Sequence, residues 1–140
     1  MAEIKVAVTS EDIASCWEAM FLLRPMLQQT LFVQQIKDLR KEGYTLLFLS
    51  EENKVVSIAG YRFITMLYSG KMVYIDDLST LESCRGKGYA TTLLKHISDI
   101  AKKHNCSSVQ LDSGSMRTDA HKLYLKEDFK INAFHFYKSV

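Results

Sequence analysis

Leu78-Ser79-Thr80-Leu81-Glu82-Ser83-Cys84-Arg85-Gly86-Lys87-Gly88-Tyr89-Ala90-Thr91-Thr92-Leu93-Leu94 runs from a strand-like segment, through a loop with two glycines, into an amphipathic stretch. In that stretch Ala90, Leu93, Leu94, Ile97, Ile100 and Ala101 recur at helical spacing on one face. His96, Asp99 and Lys103 fall off it, which predicts a helix ending near His104-Asn105. Backbone N–H groups that open a helix point outward without partners, and the helix dipole adds positive potential, so such a loop suits a phosphate or pyrophosphate. Gly86 and Gly88 allow close approach, and Arg85 and Lys87 add charge at the rim. The structural alternative is that both glycines only shape a tight strand-to-helix turn.

Two better-known glycine motifs fit less well. A Walker loop needs a glycine five residues before the Gly-Lys pair and Ser or Thr after it, where this chain has Leu81 and Gly88. The dinucleotide fingerprint is nearly met by Gly86 and Gly88, but Thr91 holds its third glycine position and only one βαβ unit can be placed.

Working outward, residues 4–8 alternate like a strand, and Thr9 or Ser10 before Glu11-Asp12 starts a helix that should run toward Arg24 and end before Pro25. A second helix is predicted over 32–42, with Gly43 as a left-handed cap. Strand-like runs at 44–50, 55–66 and 72–81 read as an antiparallel meander. Beyond the long helix come a short strand at 108–112, a short helix at 119–126 and a last alternating strand at 130–137. The order β-α-α-β-β-β-α-β-α-β predicts an α/β fold, an α+β mixed sheet with one crossover at the glycine loop. No linker or repeat divides residues 1–140, so a single domain is expected.

Of the 140 residues, 47% are apolar and 24% charged, the balance of an ordinary globular chain. Net charge is +2, far from the basic excess that nucleic acid requires, so no nucleic-acid partner is expected. Three cysteines, Cys16, Cys84 and Cys106, form no disulfide framework and no CxxC pair, which fits a reducing cytoplasm. No signal-peptide core and no run of about 18 apolar residues occurs, so no membrane partner is expected. His96, His104, His121 and His135 lack ligand spacing, and no metal is expected.

Leu78-Ser79-Thr80-Leu81 followed by Arg85-Gly86-Lys87-Gly88-Tyr89-Ala90 resembles motif A of the GNAT superfamily of N-acetyltransferases, [Q/R]-x-x-G-x-[G/A], with Arg85, Gly88 and Ala90 at its fixed positions. Residues 120–129, Ala-His-Lys-Leu-Tyr-Leu-Lys-Glu-Asp-Phe, resemble the family's motif B, A-x-x-L-Y-x-x-x-G-F, at the expected distance. The chain departs from the pattern at Arg117, where asparagine is usual, and at Asp128, where glycine is usual, the latter suggesting a differently shaped turn. Ile75-Asp76-Asp77-Leu78 is similar to the acidic strand of the spermidine/spermine acetyltransferase branch, a hint of amine acceptors.

The resemblance implies a GNAT-like acyl-CoA N-acyltransferase fold and transfer of the acetyl group of acetyl-CoA to a primary amine of a small molecule or protein. The alternative is a non-catalytic module that binds and senses acyl-CoA. Leu78, Ser79, Thr80, Arg85, Gly86, Lys87, Gly88, Tyr89, Ala90 and Thr91 would bind the cofactor, mainly through backbone groups. Tyr124 would be the general acid for the departing thiolate. Asp76 or Asp77, directly or through water, would take the amine's proton, since a lysine-like amine of pKa about 10.4 is mostly protonated at neutral pH. Neighbouring strand residues face opposite sides, so only one aspartate should face the acceptor unless a bulge re-aims them. A packing tyrosine at 124, and a salt bridge from the aspartates to Lys71 or Arg62, are the structural alternatives. Cys84 reads as an ordinary thiol rather than a nucleophile, because transfer in the family is direct. Dimers are common in such families, and Phe134-His135-Phe136-Tyr137 is a candidate homodimer interface.

Overall fold

The computed structural model describes residues 2–140. Its elements are β1 (Glu3–Val6), α1 (Ser10–Ser15), α2 (Trp17–Leu23), α3 (Gln29–Lys41), β2 (Thr45–Glu51), β3 (Lys54–Met66), β4 (Gly70–Thr80), α4 (Tyr89–Lys103), β5 (Ser108–Leu111) and α5 (Thr118–Lys126). The strands form one sheet in the order β1-β2-β3-β4-β5. The first three pairings are antiparallel, and β4 runs parallel to β5 across the α4 crossover. This is the expected mixed sheet.

Both faces of the sheet are covered, which is why β2 is apolar at consecutive positions. Leu46 and Phe48 join Ile13, Met20, Phe32 and Ile36 in a core beneath α1, α2 and α3. Leu47 and Leu49 join Leu93, Leu94, Ile97 and Tyr124 in a second core beneath α4 and α5. The α4 stripe expected from the sequence is therefore the face that α4 buries.

The first helix is interrupted. Ser15 Oγ donates to the Asp12 carbonyl at 2.6 Å and Cys16 Sγ at 3.4 Å, while the Cys16 N–H turns to the carbonyls of Ile13, at 3.0 Å, and Ala14. Side chains that bond back to a carbonyl of the preceding turn compete with the helical ladder, and the chain bends there into α1 and α2. Thr9 caps α1 through a capping box with Asp12.

The last expected strand does not form. Residues 130–140 carry no ladder, and Ile131, Phe134, Phe136 and Tyr137 stand 75 to 92% exposed. Alternation describes a strand's faces but supplies no partner. Here the neighbouring edge is β5, only four residues long, and His135 lies 3.4 Å from Asp112, the residue just after it.

Candidate active site

Strand β4 carries most of the site, and an irregularity in its pairing decides how. Gly60 pairs with Asp77 and Tyr61 with Ile75, so Asp76 is an extra residue, a β-bulge. The bulge resets the alternation. Before it Val73 and Ile75 face the α4 core; after it Leu78 does. Asp76 and Asp77 accordingly both line one cleft, of about 380 Å³, between the sheet and α2 and α3. Only one aspartate was expected there without a bulge, and the bulge brings in both.

The β3–β4 ladder continues to Thr80, but the β4–β5 ladder stops at Ile75 and Leu111. From Asp76 to Thr80 β4 has no β5 partner, so Leu78, Ser79 and Thr80 pair with β3 alone. Their side chains are occupied or buried. Ser57 Oγ donates to Ser79 O at 3.1 Å and lies 2.8 Å from Thr80 Oγ1.

The glycine loop follows a single turn of 3₁₀ helix at Glu82–Cys84. Gly86 and Gly88 have φ of 78° and 84°, the left-handed region open to glycine, and nothing approaches the space beside either Cα. Gly88 is the N-cap of α4 and no side chain caps the helix, so the first-turn N–H groups of Tyr89, Ala90 and Thr91 have no capping oxygen. Arg85 and Lys87 are exposed at the rim. An open cradle of this kind fits a pyrophosphate. Tyr89 turns its hydroxyl to Glu51 Oε2, 3.0 Å away. Cys84 packs against both cores.

In the cleft the two carboxylates are held by residues from distant elements. Arg62 donates to Asp76 through Nε at 3.0 Å and Nη2 at 2.7 Å. Arg24, at the end of α2, donates from Nε to Asp77 Oδ1 at 2.9 Å and from Nη2 to the Asp76 carbonyl at 2.8 Å. Tyr44 donates to Asp77 Oδ2 at 2.7 Å, and burial followed by that carboxylate pushes its phenol well above the usual value. The structure thus contains the Arg62 salt bridge weighed from sequence, whereas Lys71 lies over the Phe63 ring instead. Arg24 and Tyr44 carried no local signal, because their partner lies more than 30 residues away in the chain.

Tyr124 is 8% exposed in α5. Burial pushes its phenol above the ordinary value of 10, while Arg117 and then Arg24 pull against that shift. Asp128 corrects the expectation of a different turn. It adopts φ 67°, the conformation a glycine would take, with Phe129 N–H bonded to Tyr124 O at 3.0 Å and Asp128 N–H to Leu125 O at 3.3 Å. This Schellman cap carries Phe129 back onto the Tyr124 ring, 5.8 Å between centroids. Among the described residues no cluster of three or more His, Cys, Asp or Glu could hold a metal.

Residues 9–129 match the Acetyltransferase (GNAT) family. The chain is 33% identical over 142 residues, all of both chains, to the uncharacterized N-acetyltransferase YhdJ of Bacillus subtilis strain 168. The chain belongs to the GNAT acetyltransferase family. Its fold matches a Trypanosoma brucei acetyltransferase with a TM-score of 0.81 at 21% identity over all of both chains. It also matches AAC(6')-Iy, solved with a CoA-S-monomethyl-acetylneamine bisubstrate analog, with a TM-score of 0.83 at 14% identity, over 100% of this chain and 99% of the other. This GNAT acetyltransferase is therefore an acetyl-transferring enzyme. No helix among its described residues is long and apolar enough to cross a membrane.

Proposed function

We propose that this GNAT enzyme binds acetyl-CoA between the free edge of β4 and the glycine loop and acetylates a primary amine, of a small molecule or a protein, seated in the aspartate cleft. The observation that carries the reading is the end of the β4–β5 ladder at Ile75, which leaves a hydrogen-bonding backbone edge directly between the acidic cleft and the loop. The CoA bisubstrate complex of AAC(6')-Iy supports the choice of cofactor.

Bound acetyl-CoA would supply an activated thioester carbonyl and a thiolate leaving group. Arg85, Gly86, Lys87, Gly88, Tyr89, Ala90 and Thr91 hold its pyrophosphate, chiefly by backbone N–H groups and helix dipole. Leu78, Ser79 and Thr80 line it with backbone groups that can polarise a carbonyl as charge develops. Asp76 and Asp77, with oxygens already engaged by Arg62, Arg24 and Tyr44, orient the incoming ammonium and a water that carries its proton away. Tyr124, kept protonated by burial, gives its proton to the leaving thiolate.

Replacing Tyr124 by phenylalanine tests the assignment. Turnover should fall about 10²- to 10⁴-fold, the usual worth of a positioned general acid, with acetyl-CoA affinity retained. Unchanged turnover would remove Tyr124 from the chemistry.

We assign the chain one catalytic domain, because both cores share one sheet, and a reducing, cytoplasmic setting, because Cys16, Cys84 and Cys106 are free. We also assign it a homodimer, in which the exposed aromatic residues of 131–137 are covered by a second copy.

A further inference from the structure

The cleft holds four charges in two pairs, Arg62 with Asp76 and Arg24 with Asp77. Their formal sum is zero. Both pairs are open to the cleft, with side chains 24 and 23% exposed in the first and 41 and 14% in the second. Neither guanidinium has a hydrogen bond from Nη1 to another described residue, so each keeps free N–H donors while lining the cleft. Around them Met20, Leu27, Phe32 and Ile36 form an apolar wall.

Charges set in such a wall do little for stability, since desolvation largely cancels the attraction within each pair. Their arrangement suits a ligand instead. The volume of about 380 Å³ is that of a small-molecule site. A polyamine would bring several positive charges to carboxylates that fixed arginines already neutralise. A zwitterion matches the cleft on both counts: its ammonium exchanges with a guanidinium beside Asp76 or Asp77, and its carboxylate takes the freed fork of Arg24 or Arg62.

We propose, building on the acetyltransferase reading above, that the acceptor is a small amine that also bears a carboxylate, an amino-acid-like zwitterion, and that Arg24 and Arg62 are its specificity-determining residues.

Amino acids and their decarboxylated counterparts differ by the carboxylate alone, so the enzyme with acetyl-CoA would be assayed on lysine against cadaverine, ornithine against putrescine, and phenylalanine against phenethylamine. The member bearing the carboxylate should have the higher kcat/KM in at least one pair, by about 10- to 100-fold, the worth of a charge-assisted hydrogen bond. In Arg24→Gln or Arg62→Gln that ratio should collapse toward one, and Arg24→Lys should restore part of it. Equal or better turnover of the decarboxylated amines, or turnover of none of the amino acids by a protein that binds acetyl-CoA, would overturn the proposal and leave the acetyltransferase reading standing. Absence of acetyl-CoA binding at millimolar concentration would instead remove the reading on which it rests.

Discussion

Gly60 shows how a single residue sets the cleft. A Cβ there would overlap the Tyr44 hydroxyl, so only glycine lets that ring lie against β3 and reach Asp77. Gly60→Ala should displace Tyr44, break its bond to Asp77 and cost about 1 to 3 kcal/mol, the usual penalty of overpacking, measurable by urea unfolding. Unchanged stability would mean that the ring moves at no cost. At this scale Asp76 and Asp77 stood out as an acidic pair on a strand, and Tyr124 through its place in the motif B resemblance. Arg24 and Tyr44 did not, because what gives them a role is Asp77, brought close only by the folded sheet.

Among elements, the long helices and the β4–α4–β5 crossover were legible, since periodicity and the glycine loop report them directly. Interruptions were less so. The break at Cys16 arises from two side chains competing for the Asp12 carbonyl, and the bulge at Asp76 appears only in the register with β3. The end of α5 makes a testable case. Asp128 holds a left-handed conformation that glycine adopts more easily, so Asp128→Gly should stabilise the fold by up to about 1 kcal/mol. Thermal melts showing a loss would mean that the aspartate side chain itself caps the turn.

For the whole molecule, the exposed tail is where alternation misled, because a strand exists only with a neighbour to pair with. Sedimentation at micromolar concentration should show a dimer that reverts to monomer when residues 130–140 are removed, and a monomeric full chain would exclude the assigned interface. Burial raises the phenols of Tyr44, Tyr61 and Tyr124 above their ordinary value of 10. Their contribution to stability should thus be fully present below about pH 10 and be lost as pH rises past it, visible as a falling urea midpoint on the alkaline side.

The central claim, that β4 and the glycine loop form an acetyl-CoA site, is tested most directly by isothermal titration of the purified protein with acetyl-CoA. The account predicts saturable one-to-one binding, weakened when Arg85 and Lys87 are changed to glutamate. Absence of binding at millimolar ligand would contradict it.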